Sequence, residues 1–296
     1  MKPSDFAVFV NASKDPDGRE TRSIVRFLEA HGCRAGLLPD PDGTEYGEGF
    51  RGIPVITREQ AAQADMAIIL GGDGTILSGA RYLHGSDVPL FGINLGHLGF
   101  ITACEKDNCL ERLGEVLEGR YTVESRVMIR GRIRSGNSKE IIPYCGLNDI
   151  SLTRGSWLRM LRVEVRINGT LMDILQADGM IIATPTGSTG YTLAAGGPII
   201  VPDAQALVLT PICPKTLTMP SIVMSGQDKV SFRILFDGTE QEQPQFRLVV
   251  DGQEELPVLP GDIVEAEMEP DAVGLVQLED ADYYDTLRRK MFREDV

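Results

Sequence analysis

Four clusters in this 296-residue sequence bring together residue types that could carry chemistry. The first, Gly71-Gly72-Asp73-Gly74-Thr75, follows the apolar run DMAIIL and precedes residues at helical spacing. A glycine turn between strand and helix lets backbone N–H groups and the positive helix end face a phosphate. Its glycines are read as allowing close approach and a positive φ. Asp73 is out of character there, because a carboxylate repels a phosphate unless it handles a proton or a metal. The plain alternative is an aspartate capping the helix. No Walker lysine is present, so the turn is not a P-loop.

The second cluster runs from Asp178-Gly179 through Thr184-Pro185-Thr186-Gly187-Ser188-Thr189-Gly190-Tyr191 to Gly196-Gly197-Pro198. Small, proline and hydroxyl-bearing residues closed by an aromatic pack poorly as a core. They make a good ligand floor, with hydroxyls for polar edges and Tyr191 for stacking. An ordinary loop opening a helix near Ser188 is the alternative. Third, Asn148-Asp149 interrupts the strand-like GLNDISLT, and both side chains can contact a sugar hydroxyl or an amide; a strand end would explain the pair equally well. Fourth, Gly92–Phe100 is glycine-spaced after a strand and either lines a cleft or crosses between domains. Lys14, after the first apolar run, is within reach of a phosphate, although a solvated lysine is the commoner reading. Gly47–Gly52 fits GxGxxG by letter only, with no evident strand before it or helix after it. His31, His84 and His97 suggest no metal cluster, and no GxSxG elbow supports a serine nucleophile.

The elements that must carry these clusters fall into two grammars. Phe6–Val10, Asp65–Leu70 and Val88–Ile93 read as strands, and Arg19–His31 and Ile76–His84 as helices. That rhythm predicts an α/β domain with a Rossmann-like parallel sheet. Pro39–Gly52 reads as a mobile loop, and Cys109–Glu118 as a helix ended by Gly119. From about Tyr121 the runs alternate or are β-branched, with Asn168-Gly169 as a hairpin signal, so this half reads as β-rich. Ala281–Phe292 returns to helical spacing.

Length sets a prior of about two domains, 42% hydrophobic residues are a globular composition, and apolar runs recurring along the chain exclude disorder as the main state. The formal charge of −14 argues against a broad nucleic-acid or anionic-membrane surface. It does not argue against a local anion pocket of backbone N–H groups. No apolar run approaches the roughly 20 residues of a membrane span, and Phe6–Val10 is too short for a signal peptide. Five dispersed cysteines without a CxxC suggest neither a zinc knuckle nor a disulfide framework. A cytoplasmic location is expected.

Taken together the motifs resemble the NAD kinase family. GGDGT, GINLGHLGF, the Asn-Asp pair, DGMIIATPTGSTGYTLAAGGP, Asp251-Gly252-Gln253 and the closing DYYDTLRRKM follow that family's order. GGDGT is shared with lipid kinases and phosphofructokinases; the DG…TPTGSTxY stretch is what selects this family. The resemblance implies an α/β domain (1–120), a β-rich domain (121–275) and a tail (276–296) packing back on the first, with the active site in the interdomain cleft. It implies a homodimer or homotetramer. It also implies transfer of the γ-phosphoryl group of ATP, with Mg²⁺ or another divalent cation, to the adenosine ribose 2′-hydroxyl of NAD. By position, Asp73 becomes the catalytic acidic residue, flanked by Gly72 and Gly74 in the nucleotide site. Asn148 and Asp149 contact NAD. Asp178, Thr186, Thr189, Gly190, Tyr191, Thr192, Leu193 and Ala194 hold its adenosine half, with Gln253 nearby and Arg159 as a basic contact. The sequence departs from the family at Gly190, where alanine is usual, and at Lys215 and Met219, where histidine and arginine are commoner. Two other readings stand beside this one. A GGDGT kinase for a lipid or sugar lacks, in the lipid case, an apolar stretch of acyl size beside the motifs. A non-catalytic dinucleotide sensor would have no need of Asp73.

Overall fold

The computed structural model describes residues 2–39, 46–96, 99–136, 138–156, 158–216, 219–236, 238 and 246–291, without the side chains of residues 271 and 272. The chain divides into two compact units, Met1–Ser125 with Val273–Val296, and Arg126–Ala272.

In the first unit, β1 (Asp5–Val10), α1 (Arg19–Ala30), β2 (Arg34–Leu37), α2 (Arg58–Ala61), β3 (Met66–Gly71), α3 (Asp73–Tyr82), β4 (Leu90–Asn94), β5 (Cys104–Glu105) and α4 (Cys109–Glu118) alternate as expected. The strands are parallel in the order β2-β1-β3-β4, with Val8 opposite Ile68 and Ile69 opposite Gly92. Strands covered on both faces read as continuous apolar runs rather than alternating ones, and all six residues of β3 are buried. Ile24, Val25 and Leu28 of α1 join Leu113 and Val116 of α4 in one cluster with Val8, Ile68 and Ile93. On the other face α3 lies close, so that a Cβ at Gly79 would come within 2.9 Å of Ile69 Cδ1. The helix of the glycine turn begins at Asp73, ahead of Ile76, because the turn residues are already helical before the apolar periodicity starts. Gly119, at φ 84°, ends α4 in the left-handed conformation that favours glycine. The expected loop Pro39–Gly52 falls partly outside the described residues; Glu48–Phe50 forms a single 3₁₀ turn.

The second unit is built almost wholly of strands. They are β6 (Tyr121–Arg134), β7 (Ile141–Gly146), β8 (Asp149–Thr153), β9 (Leu161–Ile167), β10 (Thr170–Ala177), β11 (Gly179–Ala183), β12 (Ala206–Ile212), β13 (Ile222–Ser225), β14 (Lys229–Leu235), β15 (Phe246–Val250), β16 (Glu254–Val258) and β17 (Ile263–Leu278). Of these, β6 and β17 also contribute residues to the first unit. One helical turn, α5 (Tyr191–Ala194), interrupts them, and α6 (Tyr283–Met291) belongs to the first unit. A six-stranded antiparallel sheet runs β13-β12-β11-β8-β15-β16. Its apolar face, with Ile150, Leu152, Met180 and Leu248, shares one core with Val163 and Val165 of β9 and Phe232 of β14. In β9 buried Leu161, Val163 and Val165 alternate with less buried Arg162 and Glu164, as a strand covered on one face requires. The Asn168-Gly169 turn joins β9 to β10 with φ of 51° and 79°, the paired positive values of a tight hairpin. Met219 lies in this same core. Among the described residues no helix is long and apolar enough to cross a membrane.

Candidate active site

Parallel strands present their carboxyl ends together, and in open α/β sheets ligands bind there. At that edge of the first unit β1 leads to Lys14, β3 to the glycine turn and β4 to Asn94. The turn is not built on positive φ: Gly72 is fully extended at φ −177°, and neither Gly71 nor Gly74 has a left-handed backbone. Close packing explains glycine at Gly71, where a Cβ would run into the Thr75 side chain. Asp73 does not cap the helix either; Gly72 occupies the cap position, and no side chain bonds there. Instead the Phe100 N–H donates to Asp73 Oδ2 at 2.8 Å and the Ile101 N–H to Oδ1 at 3.4 Å. A Cβ at Gly99 would fall on the same carboxylate, so glycine there lets the segment after β4 close onto Asp73. The Gly92–Phe100 stretch therefore contributes to the setting of Asp73; His97 and Leu98 within it lie outside the described residues. Asn94 is buried, and its Oδ1 accepts from the Gly96 N–H at 2.8 Å.

In the second unit Asn148 stands just before β8, and Asp149 opens that strand opposite Ala183, the last residue of β11. The chain leaving β11 therefore turns back over the pair. The Thr184 N–H donates to the Asn148 carbonyl at 2.8 Å, and the Thr184 hydroxyl donates to the Leu147 carbonyl at 2.6 Å. That same hydroxyl oxygen accepts from the Gly187 N–H at 3.1 Å. A Cβ at Gly187 would strike the Asn148 backbone. A Cβ at Gly190 would stand 3.7 Å from Asp149 Oδ2 and 3.8 Å from Asn148 Nδ2, so Gly190 faces both polar side chains. Thr186 through Ala194 form a 3₁₀ turn and a helical turn, and Tyr191 is 45% exposed. Ser188 ties this stretch down, its hydroxyl oxygen accepting from the Ile200 N–H at 2.7 Å.

The electrostatics of this pair are unusual. Asn148 Oδ1 is buried without a hydrogen-bond partner among the described residues. Burial first, and the charge of Asp251 second, push the Asp149 carboxyl up to about 7. Such a pair offers an acceptor and a carboxyl that titrates near neutrality, and both suit the amide, amine or hydroxyl edge of a ligand.

The remaining candidates stand apart. Asp178 lies at the opposite end of β11, paired with Arg154 at 2.9 Å. Five strand residues separate it from Thr184, six steps or roughly 20 Å at the usual rise. Arg159 is exposed in the β8–β9 connection. Gln253 sits in the β15–β16 turn that begins with Asp251. Two further residues support the site: Asp251, which the sequence marks only as part of the Asp251-Gly252-Gln253 motif, and Arg126, which it does not single out. Asp251 receives backbone N–H groups from Leu147, Asn148 and Asp149. Buried Arg126 donates from Nη1 to the Thr186 hydroxyl oxygen at 3.2 Å. The only signal for Arg126 was an arginine at the point where an alternating strand becomes apolar.

A helix-opening glycine turn carrying a fixed carboxylate, in one chain with a hydroxyl-rich ligand floor, defines a nucleotide-dependent phosphotransferase. Residues 6–121 match the family model of the ATP-NAD kinase N-terminal domain, and residues 147–278 that of the ATP-NAD kinase C-terminal domain. An NAD kinase from Thermoanaerobacter sp. (strain X514) is 36% identical over 288 residues, 96% of this chain and 97% of the relative. Among solved structures, that of yeast NADH kinase complexed with NADH has the same fold. Its TM-score is 0.83 at 23% identity, over 100% of this chain and 90% of its own. The structure of an NAD kinase from Archaeoglobus fulgidus in complex with ATP gives a TM-score of 0.69 at 25% identity, over 96% of each chain. The chain belongs to the ATP-NAD kinase family, and it is a transferase that phosphorylates NAD. The lipid-kinase, sugar-kinase and sensor readings find no support in these matches.

Proposed function

We propose that the enzyme transfers the γ-phosphoryl group of ATP to the 2′-hydroxyl of the adenosine ribose of NAD, with Asp73 as its catalytic carboxylate. Phosphoryl transfer passes through a loose transition state, so catalysis is chiefly positioning and charge neutralisation. A carboxylate is too weak a base to deprotonate a sugar hydroxyl beforehand. It can orient that hydroxyl and accept its proton late, as the new oxygen–phosphorus bond forms and the bond to the leaving ADP breaks. The observation that carries this reading is the Asp73 carboxylate itself, oriented by the N–H groups of Phe100 and Ile101 at the carboxyl edge of the parallel sheet. In this reading the backbone at Gly72 and Gly74 faces phosphate oxygens.

The adenosine half of NAD is assigned to Asn148, Asp149, Thr186, Thr189, Gly190, Tyr191, Thr192, Leu193 and Ala194, with Gln253 at the margin. Asn148 and Asp149 would meet polar edges, and Tyr191 would stack on the base. Asp178 and Arg159 lie apart from this group, and we give them no adenosine contact. Among the described residues no group of three or more His, Cys, Asp or Glu side chains could hold a metal ion. A magnesium ion would then be carried mainly by the phosphates of ATP and water, and Asp73 is the carboxylate within the glycine turn that could help hold it. When bound, the ion neutralises charge on those phosphates. We further assign the enzyme to the cytoplasm and expect a homodimer or homotetramer.

The test is NADP formation from NAD, ATP and Mg²⁺, followed for the wild type and for Asp73→Asn. The wild type should form NADP, and the variant should lose about 10²- to 10⁴-fold in kcat, the usual worth of a general acid–base group. NADP from Asp73→Asn at the wild-type rate would remove Asp73 from this role, and no NADP from the wild type would overturn the reaction.

A further inference from the structure

The first unit has a topological switch point, and Lys14 stands at it. The strand order β2-β1-β3-β4 reverses direction after β1. Helix α1, leaving β1 toward β2, packs on one face of the sheet, and α3, leaving β3 toward β4, packs on the other. The chain therefore diverges at the carboxyl ends of β1 and β3, leaving the crevice where doubly wound sheets bind their ligands. The turn after β1 is pinned there, since the Asn11 N–H donates to the Leu70 carbonyl at 2.9 Å and the Lys14 N–H to the Asn11 carbonyl at 3.0 Å.

From that turn the Lys14 side chain reaches across to the end of β3. Its Nζ donates to the Gly71 carbonyl at 3.4 Å, a long and weak bond. An ammonium group has three N–H donors, and this contact takes one. A Cβ on Gly72 would stand 2.9 Å from Nζ and about 4 Å from the amide of Asn94, at 3.9 Å from Oδ1 and 4.0 Å from Nδ2. Lys14 and Asn94 thus face the bare backbone of Gly72, one residue before Asp73. Extended backbone at Gly72 is open to any residue, so the effect of glycine here is clearance beside the ammonium.

We propose that Lys14 binds the transferring phosphoryl group of the triphosphate donor and neutralises charge on its oxygens. This rests on the reading of the glycine turn as the phosphate site. The ammonium takes no part in the proton bookkeeping. The ribose oxygen bonds to the γ-phosphorus, the bond from that phosphorus to the β,γ-bridging oxygen breaks, ADP leaves with the electron pair, and the hydroxyl proton passes to Asp73. The tie to the Gly71 carbonyl then holds the ammonium over the turn until donor oxygens replace it.

The test compares Lys14→Met, which keeps length without charge, and Lys14→Arg with the wild type. Steady-state kinetics are measured in ATP and NAD separately, with calorimetric NAD binding and thermal midpoints alongside. Lys14→Met should lose roughly 10²- to 10³-fold in kcat/KM for ATP, the scale for removing one donor from a developing charge. NAD affinity and the thermal midpoint should hold, and Lys14→Arg should recover part of the loss. Wild-type kcat/KM for ATP in Lys14→Met, equal damage from both variants, or a loss matched by weaker NAD binding would overturn the assignment. If the wild type itself makes no NADP, the reaction assignment has failed rather than the role of Lys14.

Discussion

Asp251 grips Asp149 from two directions. Its own N–H donates to the Asp149 carbonyl at 2.8 Å, while its Oδ1 accepts from the Asp149 N–H at 3.2 Å and the Asn148 N–H at 2.7 Å. Oδ2 takes the Leu147 N–H at 3.1 Å. One side chain thus satisfies three successive backbone donors where β8 begins, from a residue held at φ 50°.

Removing that brace leaves the three donors without a carboxylate, and an unsatisfied buried donor costs about 1–3 kcal/mol. Asp251→Ala should therefore lower unfolding stability by about 2–5 kcal/mol and raise the KM for NAD as Asn148 and Asp149 loosen. Asp251→Asn keeps one acceptor oxygen and should lose less. Urea unfolding of the three proteins decides; equal stability of Asp251→Ala and the wild type would deny the brace.

Asp149 carries a pH signature. Its carboxyl is raised from 3.8 to about 7 by burial and then by Asp251. Between those values the folded protein holds a proton that the unfolded chain releases, so the contribution is fully present below about 3.8 and fades as pH rises through about 7. Wild-type stability should fall over that window relative to Asp149→Asn, whose side chain does not titrate. Urea midpoints at pH 5, 6, 7 and 8 test this, and parallel curves for the two proteins would refute it.

Much of this architecture is legible in the sequence because it is local. DMAIIL followed by glycines announces a buried strand and its turn, LRVEVRI alternates as a strand covered on one face must, and Asn168-Gly169 marks its hairpin. The supports of the site are not local. Asp73 and Phe100 are 27 residues apart, and Asn148 and Asp251 are 103 apart; periodicity carries no register between such segments. Lys14 is ordinary in sequence and acquires its setting only when β1 pairs with β3. The glycine turn departs from its expected conformation for a related reason. Its composition suggests positive φ, whereas Gly71 owes its identity to the Thr75 side chain that folds against it, as Gly99 in the segment after β4 does to Asp73.

Gly99→Ala tests that close approach. A Cβ there would fall on the Asp73 carboxylate, so the carboxylate or the Phe100 N–H must move. Misplacing a catalytic group by about 1 Å can cost on the order of 10²-fold in rate, and kcat should fall on that scale. NAD binding by calorimetry should be unaffected. A variant with the kcat of the wild type would show that the reaction tolerates a displaced Asp73.

Tyr191 opens α5 and is 45% exposed, a large aromatic left uncovered one residue after Gly190, the glycine that faces Asn148 and Asp149. If the adenine base covers that ring, the stacking is worth about 1–3 kcal/mol, or roughly 5- to 150-fold in affinity. Tyr191→Ala should then raise the apparent KM for NAD on that scale, with a smaller change in kcat. Tyr191→Phe keeps the ring and should behave as the wild type. Equal damage from both variants would transfer the role to the hydroxyl, and no effect from Tyr191→Ala would leave the ring outside the nucleotide site.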